Sequence, residues 1–251
     1  MSVLVVGSVA LDSVETPFGK ADDVLGGSGT FFSASASHLT PVQLVGVVGS
    51  DYPVEQLQPL AKRGVDLAGL ETAEGNSFRW RGRYRHDLNS AETLETHLGV
   101  FSHFAPKIPQ QFRNAPFVFL ANIDPRLQLQ VLDQVEKPKL IACDTMNFWI
   151  ESRRPELMEL LGHVDLITVN DGEARQLSEK ANLVHAARVP GPALGPWRTV
   201  NLPGITVTPA EMLDRINRGN RYRPDPGAAG SGVVPVARAN SPIFRPTESA
   251  S

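Results

Sequence analysis

The sequence contains one cysteine, Cys143, and that scarcity removes whole classes of chemistry. An intramolecular disulfide needs two thiols, and a cysteine-rich zinc site needs more. Its neighbours Leu140-Ile141-Ala142 make Cys143 a buried strand thiol by expectation. The six histidines are scattered, without the HExxH spacing that puts two imidazoles on one helix face. No apolar run approaches the ~20 residues needed to span a bilayer. Met1 to Val9 is apolar but short, without a basic leader or cleavage site, so it reads as a first strand and not a signal peptide. These features predict a cytoplasmic protein with no membrane partner. A basic excess is missing too. The formal net charge is −3, whereas nucleic-acid binders usually carry a basic excess or stripe, so no nucleic-acid partner is expected. The one tight basic cluster, Arg79, Arg81, Arg83 and Arg85, alternates along an apparent strand and reads as a solvated sheet face.

What is present is ordinary globular chemistry. The 251 residues are 41% hydrophobic and 20% charged, enough for one large α/β domain or two smaller ones. Val3-Leu4-Val5-Val6 is a continuous apolar run ending at Gly7, the pattern of a strand covered on both faces. Asp12 follows just beyond that strand, where open α/β sheets place ligand contacts. Gly26-Gly27-Ser28-Gly29 precedes a helix expected over Thr30 to His38, and Val42 to Val48 is the next strand, stopping at Gly49-Ser50-Asp51. Phe78 to Tyr84 alternates aromatic with basic or small residues, which predicts a half-exposed strand. Further strands are expected at Phe117 to Leu120, Lys139 to Cys143 and Leu166 to Val169. Helices are expected at Leu127 to Val135, Glu156 to Leu161 and from Asn170 to Leu183. Strands alternating with helices predict a mostly parallel central sheet with helices on both faces.

The pattern breaks near Ala187. Ten of the 20 prolines lie beyond it, no lysine occurs after Lys180, and all eight basic residues there are arginines. Prolines this frequent exclude a central strand, because each removes a ladder donor. Residues 188–251 are therefore expected to form an atypical, poorly ordered Pro/Arg/Gly-rich tail, with at most two helical turns over Glu211 to Asn217.

Four pieces carry a resemblance: Gly7 with Asp12, Gly26-Gly27 before a helix, Gly46-Val47-Val48-Gly49-Ser50-Asp51, and Asn170-Asp171-Gly172-Glu173. In this order and spacing they resemble the ribokinase-like (PfkB) carbohydrate kinase family over roughly residues 3–187. The resemblance implies a kinase domain over residues 1–187. Its α/β fold would have a mostly parallel sheet, flanking helices and a small β lid, with lid strands at Phe78 to Tyr84 and Glu95 to Phe101. It implies ATP-dependent phosphoryl transfer to a hydroxyl of a small sugar or nucleoside, with magnesium. Asp12 would accept hydrogen bonds from sugar hydroxyls, a task that suits an acceptor-only carboxylate. Gly26 and Gly27 would let backbone amides approach the substrate. Asn170 and Glu173 would help place the nucleotide phosphates and magnesium, with Glu173 acting on the ion through water.

Plainer roles stay open for each: a turn cap for Asp12, a tight turn for the glycines, and a capping box for Asn170 and Glu173. Asp51 reads as a structural turn carboxylate, and Asp144 and Asn147 could line the cleft. Two departures stand out. Thr30-Phe31-Phe32 occupies the helix start where the family carries an asparagine, which points to a less polar sugar or a nucleoside. The family's Gly-Ala-Gly-Asp motif, source of its catalytic base and anion hole, is absent. The nearest string, Asp225-Pro226-Gly227-Ala228-Ala229-Gly230-Ser231, lacks the final aspartate, and no aspartate follows Asp225. The sequence thus leaves two alternatives: an active kinase, or a non-catalytic, truncated or frame-shifted relative that keeps part of the sugar site.

Overall fold

The computed structural model describes residues 1–85 and 91–186, so the tail expectations lie outside the described residues. Val3–Val6 (β1) has no polar side chain and all four residues are buried, which places it in the interior of a sheet. It pairs in parallel with Val42–Gly49 (β4) on one side and Phe117–Leu120 (β8) on the other. Val65–Ala73 (β5) extends the sheet beyond β4, while Leu140–Asp144 (β9) and Leu166–Thr168 (β10) extend it beyond β8. The order is β10-β9-β8-β1-β4-β5, six strands, all parallel.

Period-two alternation divides these strands between two apolar cores, one on each face. Leu4, Val6, Val45, Leu120 and Cys143 face the larger core. Helices Pro125–Leu132 (α3), Asn147–Ser152 (α4) and Arg154–Leu161 (α5) close it with Val131, Ile150, Leu157 and Leu160. Val3, Val5, Leu44 and Phe119 face the other, closed by Ser28–Ala36 (α1) and Gln58–Lys62 (α2). Each fully buried Leu or Val contributes about 1.5–3 kcal/mol. The expected architecture is found, a mostly parallel sheet with helices on both faces. Cys143 is buried as expected, and burial pushes its thiol well above the ordinary range.

A second sheet has the order β3-β2-β6-β7, formed by Ala10–Thr16 (β2), Gly19–Gly26 (β3), Phe78–Tyr84 (β6) and Ala91–His97 (β7). Here the structure corrects the sequence reading. Asp12 follows the end of β1, as read, but lies inside a further strand, β2, and not at a turn; β2 pairs in parallel with β6 and antiparallel with β3. The strand expected at Glu95 to Phe101 runs instead over Ala91–His97. Leu98 turns to helical backbone angles and a 3-10 turn follows at Gly99–His103. The helix capped by Asn170 spans Asp171–Ser178 (α6) and stops at Glu179, whose φ of 58° is left-handed; Leu183–Ala186 (α7) is a separate turn. No helix among the described residues is long and apolar enough to cross a membrane.

Candidate functional site

The carboxyl ends of β1, β8, β9 and β10 carry most of the polar chemistry. Beyond β1, Ser8 organises the start of α1: its carbonyl accepts from Gly29 N at 3.0 Å, and its Oγ accepts from Ser28 N at 3.0 Å. Ser28 Oγ donates to the Asn122 carbonyl at 3.3 Å, and Asn122 Oδ1 accepts from Trp149 Nε1 at 3.0 Å. These bonds tie β1, β8, α1 and α4 into one rim.

Asp12 sits over that rim. A methyl group built on Gly26 would lie 2.1 Å from the Asp12 carboxyl carbon, so the carboxylate fills the space that a side chain at 26 would need. The Gly27 N–H donates to it. Burial raises the Asp12 carboxyl to about 6, against the lowering effect of that N–H. The structure therefore brings Asp12, Gly26 and Gly27 together. Gly27 has φ 92°, and a Cβ there would lie 2.4 Å from the Ser8 carbonyl oxygen. Gly27→Ala is expected to destabilise the fold by about 1–3 kcal/mol or more, the scale of a side chain forced into such backbone geometry. A urea midpoint equal to wild type would show that the turn relaxes freely.

Tyr52 and Tyr84 sit in the field of Asp12. Burial first, and then the Asp12 charge, raise both phenols. The Tyr52 hydroxyl is buried with no hydrogen-bond partner among the described residues. Asp51 is a structural carboxylate, as read: it accepts from Ser77 N at 2.7 Å, Ser77 Oγ at 2.6 Å and Arg79 at 2.6 Å. Burial opposes its ionisation, yet these bonds hold its pKa below the ordinary value.

A second acidic group lies past β9 and β10. Asn170 and Glu173 form a full capping box, Asn170 N donating to Glu173 Oε2 at 2.8 Å and Glu173 N to Asn170 Oδ1 at 2.9 Å. Burial raises Glu173 above its ordinary value, with the Asn170 hydrogen bonds opposing. Asp144 is raised to about 7, first by burial and then by the Glu173 charge, while Thr145 N at 2.9 Å and the Thr168 hydroxyl at 3.5 Å favour its ionised form. Asn147 opens α4 at the surface. Asp12 follows β1 and Glu173 follows β10, strands three positions apart in the sheet order.

Sequence reasoning missed Gln128. It is fully buried on α3, and its Nε2 donates to the carbonyls of Leu120, Ala121 and Asp144 at 3.1, 3.0 and 3.1 Å. It fastens the ends of β8 and β9 together, and only its place in an otherwise apolar helix stripe marks it in the sequence. Gln128→Leu keeps the volume but leaves three carbonyls without this donor, and a loss of about 1–3 kcal/mol is expected. A denaturation curve superposing on wild type would overturn that role. A depression of about 300 Å³, lined by Val47, Glu71, Val100, His103, Phe104 and Lys107 among others, contains none of the sequence-predicted site residues.

Comparisons with known proteins converge on one fold. A nucleoside kinase from Burkholderia thailandensis in complex with inosine superposes with a TM-score of 0.59 at 15% identity, over 71% of this chain and 63% of that one. Ribokinase from Cryptococcus neoformans in complex with ADP gives 0.58 at 18% identity, over 76% and 62%. The chain has the ribokinase-like fold. It thus spans less than two thirds of either structure. In sequence it is 26% identical over 194 residues to a cytidine kinase of Thermococcus kodakarensis, covering 75% of this chain and 68% of that protein. No protein-family model matches it. The resemblance to ribokinase-like kinases is borne out over part of the chain, and these relatives are nucleoside and sugar kinases.

Proposed function

We propose that the chain is built for ATP-dependent phosphoryl transfer to a hydroxyl of a small sugar or nucleoside. The observation that carries the reading is Asp12: a largely desolvated carboxylate, held by the Gly27 N–H over Gly26, on the strand that follows the carboxyl end of β1. A carboxylate there can take two substrate hydroxyl protons at once. The Tyr52 hydroxyl nearby offers a donor that lacks a partner among the described residues. On this reading residues 1–187 are the kinase-like portion, the second sheet is the lid, and residues 188–251 are an atypical tail.

ATP and magnesium belong to the Asp144, Asn170 and Glu173 group. Among the described residues no set of three or more His, Cys, Asp or Glu side chains could hold a metal. Magnesium does not need one, since it keeps several waters and uses one or two carboxylates. The Glu173 charge that raises Asp144 is of the kind that a divalent cation relieves, and two carboxylates are a donor set that fits the ion. Glu173 and Asp144 would hold it, and when bound it would neutralise charge on the phosphates. Asn170 keeps Glu173 in place through the capping box.

The test is isothermal titration of wild type and Asp12→Ala against ribose, inosine and cytidine. Binding by wild type that weakens in the mutant supports the reading; no binding, or equal binding by both, overturns it. A second reading, a non-catalytic or frame-shifted relative, is favoured by one feature, the missing Gly-Ala-Gly-Asp motif. Translating the coding DNA downstream of Ala187 in all frames decides its frame-shift form, because a restored motif would reveal a displaced frame.

A further inference from the structure

The two faces of the second sheet differ sharply in chemistry. One carries Arg79, Arg81 and Arg83, paired with Asp51 and Asp23, with Asp22, and with Glu15. That is the solvated ion-pair surface expected from the arginine alternation. The other carries Asp12, Trp80, Gly82 and Tyr84, for Asp12 lies opposite Trp80 and Val14 opposite Gly82 in the β2–β6 pairing. Trp80 and Tyr84 are only partly buried, although large aromatics have most to gain from burial.

The Trp80 ring has a fixed place. A methyl group built on Gly82 would lie 1.9 Å from Cη2 and 2.3 Å from Cζ2, so the indole lies across the glycine. Its Nε1 donates to Thr93 Oγ1 at 3.2 Å on the neighbouring strand. Tyr84 meets it edge-on, with centroids 6.4 Å apart and planes at 71°. One edge of the indole is thus pinned and one face is backed by main chain. A flat aromatic surface is left on the face that carries Asp12.

We propose that Trp80 is a stacking platform for the planar heterocycle of a nucleoside whose sugar hydroxyls go to Asp12. This deepens the proposed function and rests on its assignment of Asp12. Position decides between base and sugar ring. A sugar that bonds to Asp12 must lie within about 3 Å of the carboxylate. The indole instead covers Gly82, two residues further along the strand, about 6.6 Å from the level of Asp12. That offset is about the width of one sugar ring, so the indole meets the substituent beyond the sugar.

The experiment measures binding of ribose, inosine and cytidine to the full chain by isothermal titration, for wild type, Trp80→Ala, Trp80→Phe and Asp12→Ala. Base–aromatic stacking predicts that Trp80→Ala weakens the nucleosides roughly 5- to 100-fold and leaves ribose unchanged, with Trp80→Phe retaining most of the affinity. Gly82→Val keeps the indole but pushes it off its seat, and is expected to reproduce the nucleoside loss. Equal weakening of ribose and nucleosides in Trp80→Ala would overturn the platform, as would no weakening of either. If Asp12→Ala still lowers all three affinities in those cases, the hydroxyl site stands and only the stacking role falls. Wild type that binds none of the three overturns both.

Discussion

With magnesium, ATP and its best-binding nucleoside or sugar, the 251-residue chain is expected to release ADP at least ~10⁴-fold more slowly than the ~1–100 s⁻¹ typical of kinases. Phosphoryl transfer needs the attacking hydroxyl positioned, the phosphate charge neutralised and the hydroxyl proton accepted. The described residues supply candidates for the first two at Asp12 and at the Asp144–Glu173 pair. The family to which the sequence is similar takes the third from Gly-Ala-Gly-Asp, and no such string occurs here. Loss of a general base costs about 10²–10⁴-fold, and loss of oxyanion donors about another 10²–10³-fold. A coupled assay of ADP release reads the result. Turnover near 1 s⁻¹ or above would mean that another group takes the proton.

What the sequence made legible depended on how local each signal was. β1 and β8 are buried on both faces, so their apolar runs stand out without knowledge of any partner. The capping box at Asn170 and Glu173 is set by residues three apart, and its hydrogen bonds follow from spacing alone. β2 and β3 read poorly because Asp, Ser, Glu and Lys fill them. β2 becomes a strand through pairing with β6, more than 60 residues away in the chain, and β3 through pairing with β2. β5 was missed for a related reason. It is an edge strand, and Asp66, Glu71 and Thr72 with Gly69 among its apolar residues make it look like a polar connection until β4 is beside it. The site divides in the same way. Asp12, Gly26 and Gly27 were marked by the resemblance. The Asp144–Glu173 repulsion arises only from parallel pairing of β9 with β10. The lone Tyr52 hydroxyl and the seat of Trp80 on Gly82 arise from tertiary packing.

Asp12→Ala is expected to weaken binding of the preferred nucleoside or sugar by about 1.5–3 kcal/mol, the scale for hydrogen bonds to a charged group, or roughly 10- to 150-fold. The same carboxylate gives a pH signature with two opposite signs. Its folded pKa, about 6, lies above the ordinary 3.8, because burial penalises the charged form. The folded state therefore binds this proton more tightly than the unfolded chain does. As the pH falls through 6 towards 4, Asp12 makes the ligand-free fold more stable, and that contribution is absent at pH 8. Ligand binding moves the other way. A protonated Asp12 no longer accepts two hydroxyl protons, so the dissociation constant should be about ten-fold higher at pH 5 than at pH 7.5. Tyr52 and Tyr84, whose phenols face the same charge, stay neutral throughout this window, since both are raised above an already high value. Titrations and urea midpoints at pH 5, 6, 7 and 8, on wild type and Asp12→Asn, separate the two effects. In Asp12→Asn the drop in affinity below pH 6 and the Asp12 share of the pH-dependent stability should both vanish. A wild-type affinity flat from pH 5 to 8 would remove the ionised Asp12 from the binding site.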